Sequence, residues 1–298
     1  MLIRFGFDIS VTCAAPVPAL LALSPHSTVA GRMVGTAWPQ TEPSGSTGSY
    51  LDRFGNRIHR LELPTGLSRI WSDAVVEVDG HPDARHVDAT QHPVSSLPPE
   101  TLSYLLPSRF CESDRVASFA WQMFGSTPEG WPRAQAVCDF VHNHITFGYG
   151  FGNPLKSAAD VLADGKGVCR DFAHLAIALC RSLNLPARYA SGYLGDVGVP
   201  YAGPGDFCAW FEVFLGGQWQ TFDARYNRPR AGRVLMVRGH DAADVAMITN
   251  FGNITLTSFR VWTDEIPPGT SEDDIAAMLR APPPVDPRDK DWLRYHAA

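Results

Sequence analysis

Residues 165–194 read GKGVCRDFAHLAIALCRSLNLPARYASGYL, and the fold turns on them. Phe172, Ala176, Leu179, Cys180 and Leu183 recur at helical spacing, and Ala173, Leu175 and Ile177 leave little of the circumference polar. A helix apolar nearly all round is a central, buried one. Asn184 and Pro186 end it, and RYASGYL returns to β structure. The Gly165-Lys166-Gly167 approach then puts Cys169 in the first turn. There the sulfur meets unpaired backbone N–H groups and the positive end of the helix dipole, both of which favour thiolate over thiol. The same N–H groups suit the oxyanion of an acyl-transfer intermediate.

Downstream, FCAWFEVFL and QWQTFDA flank Gly216-Gly217, a two-residue hairpin turn. Counting outward from that turn pairs Leu215 with Gln218, Phe214 with Trp219 and Trp210 with Asp223. Cys208 and Asp223 become diagonal neighbours on one face, with backbones about 7 Å apart. Upstream, Ser113 before Asp114 reads as an N-cap, Pro132 opens a second helix through Ile145, and SAADVLAD is a short helix capped by Ser157 and closed by Gly165.

From residue 1 to about 90 the pattern is β: Leu2 to Thr12 alternates, SYLDRFGNRIHRLELP folds back around Phe54-Gly55-Asn56, and SRIWSDAVVEV is a further strand. The expected fold is α+β: an antiparallel β-sandwich over 1–92, a core over 93–266 with its central helix on an antiparallel sheet, and a polar, Pro-rich tail over 267–298. ITLTSFRVW falls within that core as a further strand.

Hydrophobic residues at 45% and charged residues at 19% describe an ordinary globular chain of 298 residues. A formal charge of −6 and the lack of a basic cluster interleaved with aromatics argue against nucleic acid. No stretch of about 18 apolar residues calls for a membrane, and Asp8 interrupts what a leader peptide would keep apolar, so the expected location is the cytoplasm. The six cysteines have neither zinc-ribbon spacing nor disulfide-scaffold density, and no metal or cofactor is expected.

The order of these segments carries a resemblance. A cysteine opening a helix in GVCRDFAHLA, then NLPARYASGYL, AWFEVFLGG and TFDARYNRPRAGRVLM, preceded by VHNHI and a β domain, is similar to the bacterial transglutaminase-like cysteine peptidases with an N-terminal β domain. The resemblance implies a papain-like core and a site in which Cys169 is the nucleophile and Asp223 the orienting acid. It also implies a peptide or protein as the substrate. Cys208 stands where the family has its catalytic histidine.

A thiol lacks the ready proton exchange of an imidazole at neutral pH. Two readings therefore stand. One is a thioester-forming enzyme acting on amide or peptide bonds; the other is an inactive descendant that binds peptides or serves as a scaffold. Cys169 and Cys208 could also pair as a disulfide, or join Asp223 in holding zinc, although the spacing matches no zinc signature. Among other bases, His174 lies about 140° round the helix from Cys169 and reads as a core histidine, whereas His142 and His144 could approach from the VHNHI helix. Tyr226 could donate a hydrogen bond.

Overall fold

The computed structural model describes residues 1–29, 33–34, 37–199 and 205–281. The chain begins with seven strands: β1 (Leu2–Cys13), β2 (Val17–Leu21), β3 (Met33–Val34), β4 (Gln40–Glu42), β5 (Ser46–Leu51), β6 (Arg57–Leu63) and β7 (Gly66–Glu77). Four helices follow, α1 (Pro99–Leu102), α2 (Ser113–Phe124), α3 (Trp131–His144) and α4 (Ala158–Asp164), with the short strands β8 (Thr146–Phe147) and β9 (Lys166–Gly167) on either side of α4. Then come α5 (Cys169–Ser182), β10 (Ala187–Leu194), β11 (Phe207–Leu215), β12 (Gln218–Phe222), β13 (Arg233–Gly239), β14 (Ile248–Asn250), β15 (Ile254–Ile266) and α6 (Glu272–Arg280).

Alternation explains β1. Ile3, Phe5, Phe7, Ile9, Val11 and Cys13 all point into the core, each side chain contributing about 1.5–3 kcal/mol if fully buried aliphatic or aromatic. The opposite face carries Arg4 and Asp8, which are satisfied by ion pairs to Asp73 at 2.5 Å and Arg69 at 2.8 Å. Two antiparallel sheets result, ordered β15-β1-β7-β3 (with β4 also on β7) and β14-β2-β6-β5.

The expected boundaries meet a difference here. β15, which sequence position assigns to the 93–266 core, runs along β1 from Leu2↔Ile266 to Cys13↔Ile254, and β14 pairs with β2. The chain closes the N-terminal sheets with strands from its far end, because the apolar edge of β1 needs a second neighbour. A linear cut cannot express that pairing. In the tail, α6 packs Ile275 against Val75 and Ile266, and residues 282–298 lie outside the described residues.

The second half is built around α5. Every residue from Asp171 to Arg181 is buried, as an all-round apolar pattern demands. The helix packs on β10 and β11 of the antiparallel sheet β12-β11-β10-β13 and against α2, α3 and α4. Asn184, with φ of 62°, turns the chain out of the helix in the left-handed conformation that Asn tolerates. The β11–β12 register runs Leu215↔Gln218, Phe214↔Trp219 and on to Phe211↔Phe222, the pairing that the Gly-Gly turn predicts.

Aromatic contacts join the two halves. Phe5 meets Tyr193 edge-on at 4.8 Å, Tyr193 meets Phe207 at 5.1 Å, and Phe207 meets Phe259 of β15 at 5.8 Å. Thus β1 and β15 buttress the start of β11, the segment that reaches the Cys169 sulfur.

Candidate active site

The GKG approach has two separate causes. Gly165 closes α4 with φ of 65°, a conformation that favours glycine. Gly167 allows close approach: a Cβ there would lie 2.6 Å from Asp171 Cβ. With no side chain in the way, Asp171 reaches back and accepts the Val168 N–H at 2.9 Å, one half of a capping-box arrangement, while Arg170 Nη2 donates to it at 3.1 Å. Burial raises the Asp171 pKa, opposed by the Arg170 charge. Cys169 is thereby fixed as the first helical residue, half-buried, with its N–H and that of Arg170 left over by the helix ladder.

β12 separates from β11 beyond the Phe211↔Phe222 pair, which leaves the edge of β11 free at residues 207–210. The Cys169 sulfur lies against that edge. The Cys169 Sγ–H is directed at the Phe207 carbonyl oxygen at 4.0 Å and the buried Cys208 Sγ–H at the Ala209 carbonyl oxygen at 3.7 Å, and the two thiols lie close enough for each to shift the other's pKa. These contacts hold the Cys169 pKa at about 7. The Cys208 thiol lowers it most, burial opposes, and the Arg225 charge lowers it further. The cost falls on Cys208, whose pKa rises well above the ordinary range because of the Cys169 thiol beside it and because it is buried.

Asp223 is buried, and both of its oxygens are committed. Oδ1 accepts from the N–H groups of Arg225 and Tyr226, each at 3.1 Å, and Oδ2 pairs with Arg233 at 2.8 Å. Asp223 is also close enough to Cys208 for its charge to help raise that thiol's pKa. The structure therefore brings Cys169, Cys208 and Asp223 into one region, with Asp223 folding the 223–226 turn.

That turn presents Arg225, a residue that sequence reading overlooked although it lies in the quoted TFDAR segment. Its guanidinium sits 3.8 Å from the Phe147 ring centroid and 4.8 Å from that of Tyr226. Its charge acts on both thiols. Among the described residues no carboxylate forms an ion pair with it.

Asp206 was overlooked as well. Its Oδ1 accepts the Phe207 N–H at 2.7 Å, on the residue whose carbonyl faces Cys169. Burial pushes its pKa up to about 8, and the Cys169 charge adds to the rise. No periodicity marks either residue, since both lie just outside the paired strand segments.

The histidines are occupied elsewhere. His142 Nδ1 donates to the carbonyls of Ala224 and Arg225 at 3.1 and 3.0 Å, bracing the 223–226 turn from outside. His144 Nε2 bonds the Leu162 carbonyl at 2.8 Å. His174 is fully buried, stacks on Phe110 at 5.3 Å and accepts the Ala242 N–H at 3.1 Å, and burial lowers its pKa well below the usual value. Among the described residues no cluster of three or more His, Cys, Asp or Glu could hold a metal, and no helix is long and apolar enough to cross a membrane.

Residues 118–224, from within α2 to the turn that begins at Asp223, match the model of the transglutaminase-like superfamily. An uncharacterized protein of Mycobacterium leprae is 25% identical over 214 residues, covering 70% of this chain and 76% of that protein. One from Mycobacterium tuberculosis is 28% identical over 246 residues, covering 75% and 77%. The crystal structure of a "putative cysteine protease" from Cytophaga hutchinsonii superposes with a TM-score of 0.79 at 28% identity, covering 91% of this chain and 92% of that one. Residues 118–224, with Cys169 opening their central helix, are a transglutaminase-like superfamily core.

Proposed function

We propose that the protein is a cysteine enzyme of the acyl-transfer class, in which Cys169 attacks the carbonyl of a peptide or protein amide and forms a thioester. The observation that carries this reading is the position of the Cys169 sulfur, at the start of α5 and 4.0 Å from the Phe207 carbonyl beside Cys208, where Cys208 and the Arg225 charge lower its pKa. A histidine at position 208 would take the thiol proton; here a lowered thiol pKa favours the thiolate instead.

Attack makes the Cys169–carbon bond and moves the carbonyl π electrons to oxygen, beside the first-turn N–H groups of α5. Collapse breaks the carbon–nitrogen bond, and the leaving amine needs a proton. Asp206, whose carboxyl pKa is pushed up to about 8 by burial, supplies it. Water or a second amine then releases the acyl group from Cys169. Asp223 acts as a positioning residue through its hold on Arg225 and Tyr226. The cytoplasm suits such an enzyme, because a reducing compartment keeps the thiolate competent.

The experiment is Cys169-dependent turnover of peptide amides in reducing buffer. The unsubstituted protein is expected to release amine or ammonia, and Cys169→Ala to release none; equal release by both would overturn the reading. A second reading is favoured by one observation, the thiol in place of an imidazole at position 208: a protein that binds peptides without cleaving them. Peptide binding with no turnover in the unsubstituted protein, but turnover in Cys208→His, would establish that alternative.

A further inference from the structure

The same sulfur has a second partner chemistry within reach. Cys169 is half-buried, whereas Cys208 is buried at 4% exposure. The Cys169 sulfur lies 4.0 Å from the Phe207 carbonyl oxygen and the Cys208 sulfur 3.7 Å from the Ala209 carbonyl oxygen, which puts both thiols on the same stretch of β11 and close enough for each to shift the other's pKa. A half-buried thiol at a helix start, with a covered thiol beside it, is the arrangement of an attacking and a resolving cysteine.

We propose that Cys169 and Cys208 form a dithiol centre that reduces disulfides. The proposal rests on the thiolate of Cys169 but does not require any amide turnover. The Cys169 thiolate attacks one sulfur of a substrate disulfide R–S–S–R, forming a mixed disulfide and expelling R–S⁻, which takes a proton from solvent. Cys208 then loses its proton, and its sulfur attacks Cys169 Sγ. The Cys169–SR bond breaks, and the second R–S⁻ leaves and takes the Cys208 proton. Two protein thiols are oxidised to one disulfide, and the substrate is reduced to two thiols.

The electrostatics time the second step. In the reduced protein the Cys208 pKa is raised by the Cys169 thiol beside it, by burial and by the charges of Asp223 and Cys169, with Arg225 opposing. Capping Cys169 with SR removes both the thiol and the negative charge, and leaves Arg225 in place. Cys208 therefore ionises more readily only once there is a mixed disulfide to resolve. An attacking thiol of pKa near 7 is also close to the optimum for exchange at neutral pH.

The test treats the reduced full-length protein with oxidised glutathione, the probe disulfide, in the absence of oxygen at neutral pH. Acid-quenched samples are read by intact mass and non-reducing peptide mapping. The unsubstituted protein is expected to lose two hydrogens and show a Cys169–Cys208 linkage without retaining glutathione, whereas Cys208→Ser should hold one glutathione on Cys169. Glutathione persisting on Cys169 of the unsubstituted protein would overturn the proposal, as would a Cys169 that reacts no faster than the other cysteines. The first readout needs no variant, so misfolding of Cys208→Ser cannot mask it. Failure of amide turnover in reducing buffer, by contrast, touches only the acyl-transfer reading.

Discussion

The Cys169 sulfur lies 4.0 Å from the Phe207 carbonyl oxygen, beside Cys208, so the residue at the expected base position is a second thiol that lowers the pKa of the nucleophile. Cys208→Ala removes that thiol. The midpoint of iodoacetamide alkylation at Cys169, followed by peptide mapping across pH, should move from about 7 toward the ordinary cysteine value of about 8.5. A midpoint that stays near 7 would show that the helix start and Arg225 suffice.

Arg225 makes its contribution through charge, held between the Phe147 and Tyr226 rings. Arg225→Gln should raise the Cys169 alkylation midpoint by about one unit, the lower end of what a nearby opposite charge commands. Alkylation rates of the unsubstituted protein and the variant, compared across pH, provide the check.

Any amide turnover should follow a narrow bell in pH. A lowered thiol pKa means the nucleophile is gained as pH rises through about 7, and a raised carboxyl pKa means the acid form of Asp206 is lost as pH rises through about 8. Because the two groups interact, the limbs report the pair. Asp206→Asn should lower kcat by about 100-fold or more and abolish the alkaline limb, leaving the acid limb in place.

Asp223→Ala should be more damaging to the fold than to the thiol. It strips Arg233 of one of its two carboxylates, the other being Asp83 at 2.9 Å, and frees two backbone donors of the 223–226 turn. Loss of about 3 kcal/mol in urea unfolding is expected. Asp223→Asn, which keeps an acceptor for the turn, should lose less.

Much of this arrangement was legible in sequence because it is local. The all-round apolar pattern from Phe172 to Leu183 marked α5 as buried, the Gly216-Gly217 turn set the hairpin register as far as Phe211↔Phe222 though not the Trp210–Asp223 pair expected beyond it, and the capped SAADVLAD stretch placed α4. Each follows from spacing within a dozen residues, where backbone geometry permits few alternatives. Cys169 stood out for the same reason.

Contacts between distant segments left no such mark. No pattern in ITLTSFRVW says that it will run beside β1 rather than extend the sheet around α5; that depends on which edge was left unpaired once both halves had folded. Arg225 and Asp206 became part of the site only because β12 parts from β11 after Phe222 and the segments around residues 206 and 225 both border the Cys169 sulfur. The sequence by itself determined a thiol at the start of a buried helix, through periodicity and glycine chemistry. Tertiary structure alone decided how its pKa is shifted, because that shift depends on a thiol, a guanidinium and an edge N–H that lie 39 to 56 residues along the chain and are brought to the sulfur by packing.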